Sequence, residues 1–204
     1  MVAGYHPKIT RSTVQKADQK QSPVNYNMNQ VKPVSMKRVV DARAKARQLR
    51  IVGQIIVPTA KIHLPIGLGI NSSTLMLAAG TMRPNETMGQ GNYALAGHHM
   101  INKAALFTPL YFKAHVGTQI YLTDMKNLYR YRVNVRKIIS PYDVGVVNPT
   151  RQPLLTLITC NDSGSRRLLV RGKLVKKVPI NRAPVKVRKI MKERTNNYNV
   201  LEGY

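Results

Sequence analysis

The chain is short of the residues that build the commonest kinds of site. It has a single cysteine, Cys160, in 204 residues, which excludes an intramolecular disulfide and a cysteine-based structural zinc centre. Asp and Glu together number 8, too few and too scattered for a multi-carboxylate metal centre. Tryptophan is absent and phenylalanine occurs twice. The candidate strands carry no set of aromatics on which nucleobases would stack. Long apolar runs are missing too. The central stretch free of charged residues, Ile62–Met82, is broken by Pro65, Gly67, Gly69, Asn71, Ser72 and Ser73, so it reads as turn-rich sheet and not as a membrane span. The first thirty residues are polar and lack the apolar core of a signal peptide. If the native protein is anchored, its anchor is expected to be absent from this chain.

What the chain has in excess is positive charge. Lys plus Arg number 33, giving a formal charge of +25, and a surface so basic seeks anionic surroundings: nucleic acid, an acidic membrane face or a cell-wall polymer. A hydrophobic fraction of 43% is enough to bury a core and argues against wholesale disorder. Residues 1–34 are rich in Gln, Asn, Lys and Pro with little periodicity, which predicts a flexible basic arm. Ser35 is placed to N-cap a helix running to about Gln48, with a weak apolar stripe that should pack only lightly. From Ile51 the texture turns to short β-like runs: Ile51–Val57, Lys61–Pro65, Asn92–His98, Gln119–Thr123, Tyr129–Ile139, Leu154–Cys160 and Leu168–Val175. Many short strands without βα alternation predict a closed, mostly antiparallel β structure over residues 35–180. Residues 181–204 are again basic and polar and read as a tail.

Cys160 ends the apolar run Leu154–Cys160, and the turn Asn161-Asp162-Ser163-Gly164 follows at once. A thiol at a strand end can be held rigidly and still meet solvent. A lone cysteine is more often a small buried hydrophobe, but Arg166 and Arg167 return across a loop of hairpin length, and nearby cations favour the nucleophilic thiolate. A cysteine nucleophile needs a histidine within reach. Of the five, His6 falls in the arm, His115 in a polar loop and His63 inside a strand-like run. His98 and His99 end the run Tyr93-Ala94-Leu95-Ala96-Gly97, on opposite faces by strand periodicity. Periodicity leaves the choice between those two open.

Three segments resolve it by resemblance. Gly89-Gln90-Gly91-Asn92-Tyr93-Ala94-Leu95-Ala96-Gly97-His98-His99-Met100, then Thr156-Leu157-Ile158-Thr159-Cys160, then Arg167-Leu168-Leu169-Val170-Arg171-Gly172 resemble the signature segments of class A sortases. Each is a modest signal alone; all three, in order and at family spacing over roughly Ile51 to Val175, are a strong one. The resemblance implies a mainly β protein, an eight-stranded sortase barrel with short helices. It implies a cysteine transpeptidase of Gram-positive surfaces with Cys160 as nucleophile, His98 as acid and base, and Arg167 as donor to the oxyanion or to substrate carbonyls. The implied substrate is a surface protein bearing a Leu-Pro-x-Thr-Gly (LPXTG) sorting motif, and the acceptor an amine of the lipid-linked peptidoglycan precursor. The matching groove positions are Leu75, Met82, Ala96, Val144, Val146, Val147, Ile158 and Thr159, with Ala96 and Thr159 favoured because they adjoin the catalytic positions. Arg166 and Arg171 are expected to matter little.

The family also implies a location, on the outer face of the Gram-positive membrane beside anionic lipid and wall polymer, which accounts for the charge. Pilin-polymerising class C sortases are the nearer alternative, but only six residues separate Cys160 from Arg167, and residues 1–34 hold no lid motif of that class. A non-enzymatic nucleic-acid binder rests on charge alone, with no recognition motif, so no specific nucleic-acid partner is expected. No cofactor or metal is expected either. The two loops that hold calcium in some class A sortases correspond to residues 83–91, with Glu86 their lone carboxylate, and 148–151, with none. Both basic ends are expected to be electrostatic attachments separable from the site.

Overall fold

The computed structural model describes residues 5–19, 24–27, 31, 35–161 and 163–197. Eight strands form a closed barrel: β1 (Ile51–Val57), β2 (Ile62–Gly67), β3 (Ala79–Thr81), β4 (Asn92–Ala96), β5 (Gln119–Thr123), β6 (Asn127–Ile139), β7 (Leu154–Cys160) and β8 (Arg167–Pro179). Their order around the barrel is β1-β2-β3-β4-β7-β8-β6-β5. All neighbours are antiparallel except β2 with β3 and β4 with β7. The parallel pair β4–β7 matters most, because it brings two strands side by side toward the same rim, β7 running two residues beyond the end of β4.

Apolar side chains of alternate residues fill the barrel, among them Ile55, Leu64, Leu95, Leu122, Tyr131, Leu157 and Val170. β1 is buried throughout, so its polar Gln54 has to be satisfied internally, and it is paired with His63 Nε2 at 3.3 Å. Burial without a charge partner pushes the pKa of His63 down to about 4. Gly53 is dictated by closure of the barrel: a Cβ there would lie 2.2 Å from the Thr123 carbonyl oxygen on β5.

Helices are short: α1 (Arg11–Gln19), α2 (Met36–Ala44), α3 (Ser72–Leu77), α4 (Pro109–Lys113) and α5 (Val185–Ile190). Ser35 caps α2, its hydroxyl accepting from the Arg38 N–H. A 3-10 turn at Ala46–Gln48 continues α2 to the expected end. Contrary to a light contact, Val39, Ala42 and Ala46 are buried in the main core; three small apolar residues on one helical face suffice because they meet α3 and the barrel closely. β3 was not anticipated, being three small residues inside a turn-rich stretch. Among the described residues no helix is long and apolar enough to cross a membrane.

The two ends depart from expectation. Within residues 1–34 the described part is docked: α1 buries Val14 and Ala17, the Ala17 carbonyl accepts from Arg50 Nε at 2.9 Å, and Tyr5 donates to the Ala46 carbonyl. The Val14–Ala17 pair, one turn apart, is enough apolar surface to hold a nine-residue helix on β1. Residues 1–4, 20–23, 28–30 and 32–34 of the predicted arm, Asp162 of the predicted turn and residues 198–204 of the predicted tail lie outside the described residues. The C-terminal residues up to 197 do not form a loose tail either. Ala183 and Val187 cover Ile56 and Leu128 on the outside of the barrel, and Thr195, Asn196 and Asn197 are buried. Their anchorage is polar, and so carries no hydrophobic periodicity.

Candidate active site

β4 and β7 run in parallel register with Ala96 beside Ile158, and the ladder extends by one further bond, Gly97 N–H to the Ile158 carbonyl at 3.1 Å. His98 follows two residues past Ala96 at the end of β4, as Cys160 follows Ile158 at the end of β7. Across the β7–β8 hairpin Cys160 is paired directly with Arg167. Three neighbouring strands, β4, β7 and β8, thus carry an imidazole, a thiol and a guanidinium at or just past their ends on the same rim of the barrel. Cys160 is partly exposed.

His98 is 9% exposed, and among the described residues its Nε2 has no hydrogen-bond partner. Burial pushes its pKa down to about 4, so the ring is neutral at physiological pH and able to accept a proton. Gly97, just before it, cannot be another residue: a Cβ would lie 2.4 Å from the Phe107 ring. His99 points elsewhere, edge-on to Tyr111 with centroids 4.9 Å apart. On the other side of the thiol, Arg167 donates through Nη1 to the Gly164 carbonyl at 2.8 Å and to the Arg166 carbonyl at 3.0 Å.

Beside the row lies an apolar surface on the outside of the barrel, distinct from the main core. Leu75 and Ala96 cluster with Ile70; Ile158 clusters with Ile139 and Leu169, with Val146 and Val147 packed against it; Met82 touches both clusters. Six of the eight anticipated groove positions are therefore brought together. Two are not. Val144 is exposed on the rim of the β6–β7 loop, in a 3-10 turn spanning Val144–Val147. Thr159 faces inward with Leu155 and Leu157, buried and, among the described residues, with no partner for its hydroxyl; adjacency to Cys160 in sequence puts it on the opposite face of the strand.

Several participants were not anticipated. Val31, from the N-terminal segment, packs on Ile70, Leu75 and Ala96, so a side chain from the supposed arm rests on the groove. Arg171 holds the β6–β7 loop: its Nη2 donates to the Val146 carbonyl and its Nε to Thr156 Oγ1 at 3.0 Å. Asn92 Nδ2 donates to the carbonyls of Val146 and Asn148, both at 3.0 Å, while Thr156 donates to Asn92 Oδ1 at 2.7 Å. These bonds give Arg171 a structural part in the β6–β7 loop that its sequence position does not announce. The signal available in sequence was polar Asn92 and Thr156 at outward positions of otherwise apolar strands.

Glu86, the lone carboxylate of the β3–β4 loop, is turned inward, accepting from the Ala94 N–H at 3.2 Å beside Arg83 at 3.4 Å. Burial outweighs the Arg83 charge and pushes its pKa up to about 8. Among the described residues no three His, Cys, Asp or Glu side chains group as metal ligands. A cavity of about 530 Å³ bordered by Tyr26, Arg50, Arg83, Glu86 and Tyr129 includes none of His98, Cys160 and Arg167.

A closed barrel with Cys, His and Arg at three neighbouring strand ends is the arrangement of a sortase, and the comparisons agree: the Sortase domain model matches residues 55–175. The chain belongs to the sortase family and is a transpeptidase of that type. It is 35% identical to Sortase A of Listeria monocytogenes over 189 residues, 92% of this chain and 79% of that protein. It is 32% identical to Sortase A of Streptococcus agalactiae over 200 residues, 95% of this chain and 80% of that one. The solved structure of Listeria monocytogenes sortase A matches with a TM-score of 0.66 at 36% identity, covering 71% of this chain and 99% of that chain. Sortase C-3 from Streptococcus pneumoniae, at 20% identity and a TM-score of 0.63, shares the fold.

Proposed function

We propose that this chain cleaves Leu-Pro-x-Thr-Gly sorting signals of surface proteins between Thr and Gly and transfers the Thr carbonyl to an amine of the cell-wall precursor. The observation that supports the reading is that His98, Cys160 and Arg167 fall at or just past the ends of three neighbouring strands, beside the apolar clusters of Leu75, Met82, Ala96 and Ile158. The Leu and Pro side chains occupy the surface made by Leu75, Met82, Ala96, Ile158, Val146 and Val147. Neutral His98 takes the proton of the Cys160 thiol as sulfur attacks the Thr carbonyl carbon. The tetrahedral oxyanion is met by N–H donors, Arg167 among them. The C–N bond breaks, and the glycine amine leaves with the proton that His98 returns. Threonine is then held as a thioester on Cys160. An incoming amine attacks that carbonyl and passes its proton to His98, and the C–S bond breaks as the thiol is reprotonated. One amide is exchanged for another through two easier steps, and no oxidant or cofactor enters the balance.

The charge fits a place beside anionic lipid or wall polymer on the outer face of a Gram-positive membrane. Strands β6 and β8 contain no carboxylate, yet pair Arg130 with Lys176 and Arg132 with Lys173 directly across the ladder. Like charges so placed are destabilising unless an outside anion relieves them. The reading is tested by incubating the protein with sorting peptides and candidate amines and identifying products by mass spectrometry. Peptide joined at Thr to the added amine is expected; cleavage at another bond, or no thiol-dependent product with any peptide, would reject it.

A further inference from the structure

We infer that Asn196, near the C-terminal end of the described chain, is a positioning residue for His98, acting as a clasp on the loop that braces the histidine. The inference rests on the role given to His98 above and lies outside the family-matched residues 55–175. Asn196 is buried and spends every polar group it has. On one side its N–H donates to the His63 carbonyl at 3.0 Å, and its Oδ1 accepts from the His63 N–H at 3.1 Å. On the other, Nδ2 donates to the carbonyls of Ala104 at 3.1 Å and Leu106 at 2.9 Å, while its own carbonyl accepts from the Leu106 N–H at 3.1 Å. One side chain and its peptide groups therefore tie the 99–108 loop to strand β2.

What the clasp holds needs holding. Leu106 is fully buried with a φ of 49°, the left-handed region that a leucine rarely adopts and that persists only where the surroundings impose it. Two bonds to Asn196 fix both peptide groups of Leu106, its N–H donating to the Asn196 carbonyl and its carbonyl accepting from Asn196 Nδ2, and a third holds Ala104. The next residue passes the constraint to the site: the Phe107 N–H donates to the His98 carbonyl at 3.2 Å, and the Phe107 ring lies on Gly97. Thr108 closes the loop, its Oγ1 accepting from the Met100 N–H at 2.7 Å. Strand pairing thus brings the chain to the rim and stops two residues short of His98, since β4 ends at Ala96. His98 is carried by the loop, and the loop is carried by Asn196. Its neighbour Asn197 makes a different contact, donating to the Leu77 carbonyl at 2.6 Å, and so supplies a control.

Asparagine is required because the position needs two donors and an acceptor at one carbon's reach. Asn196→Asp keeps the shape and removes both donors. In the full chain, with a sorting peptide and amine, Asn196→Asp and the milder Asn196→Ser are expected to lower kcat at least tenfold with KM within twofold. The His98 ring resonances in a ¹H–¹³C spectrum are expected to shift or broaden in the folded variants. Asn197→Ala is expected to lower Tm while leaving kcat within twofold. Equal kcat in wild type and either folded Asn196 variant, with unchanged His98 resonances, would overturn the inference. So would kcat losses in Asn196→Ser and Asn197→Ala that merely follow their Tm. If Asn196→Asp does not fold, Asn196→Ser, which keeps both main-chain bonds, decides the matter alone. Absence of turnover in the wild type would instead strike the proposed function.

Discussion

The two flanks of Cys160 are built on opposite principles. On the His98 side everything is packed: the ring is buried, Gly97 lies under Phe107, and the following loop is closed by Thr108 and Asn196. On the Arg167 side the β7–β8 hairpin is open to solvent, held by short polar contacts such as Asn161 Nδ2 to Ser163 Oγ at 2.9 Å, and the guanidinium rests on carbonyls of its own loop. The histidine flank is set by folding, whereas the arginine flank has donors that a peptide backbone can recruit. The difference is the one expected if proton transfer demands fixed geometry and carbonyl recognition tolerates adjustment.

The largest effect belongs to the thiol. Cys160→Ala is expected to abolish cleavage with the Tm little changed, because the sulfur is replaced at a partly exposed strand end. His98→Ala is expected to cost about 10²–10⁴-fold in kcat/KM, and His99→Ala less than about tenfold, both by steady-state peptide assay. The reverse order would mean that the wrong flank had been called rigid.

Stability against pH probes the same flank. His98 has a folded pKa of about 4 against an ordinary value of 6.5, so between those values the unfolded chain binds the proton and the folded chain does not. Stability is thus full above pH 6.5 and falls as pH drops toward 4. The share due to His98 is on the order of 3 kcal/mol. His63, likewise pushed down to about 4, acts in the same sense, so the informative quantity is the difference between wild type and His98→Asn. Urea titrations from pH 4 to 7 should show a flatter curve for the variant; parallel curves would mean that the ring is solvated.

On the open flank, Arg167→Lys keeps the charge and loses the planar fork, and kcat/KM is expected to fall roughly 10–100-fold. A silent substitution would reduce the arginine to a point charge. The smallest effect is at a distance from the row. Arg171→Ala removes two bonds to the β6–β7 loop and its neighbour Thr156, and a rise of about fivefold to tenfold in KM is expected, in keeping with the loss of a charged hydrogen bond. A change in kcat alone would mean that the loop serves chemistry and not the groove.

How much of this could be read from sequence follows from the kind of force involved. β1, β5 and β7 run over the expected residues because each is an apolar run bounded by turn residues. β3 escaped because Ala79, Gly80 and Thr81 carry little strand signal and are placed by their neighbours β2 and β4. The row of Cys160, His98 and Arg167 was legible as motifs, and its common rim follows from the parallel β4–β7 pairing, which no local pattern states. Thr159 is turned into the core by strand alternation, which the sequence states and which outweighs its adjacency to Cys160. The ends were misread for a physical reason. Val14, Ala17 and Val31 are too few to make a stripe, and Asn196 anchors by hydrogen bonds, for which polar composition gives no warning.

The central claim is a covalent one: the Thr carbonyl is carried on Cys160. Intact-protein mass spectrometry after acid quench of the enzyme with a sorting peptide and no added amine tests it most directly. The account predicts an adduct equal to the peptide up to and including Thr, mapped to Cys160 and discharged when an amine is supplied. Cleavage that proceeds in Cys160→Ala, or an adduct mapped to any other residue, would contradict it.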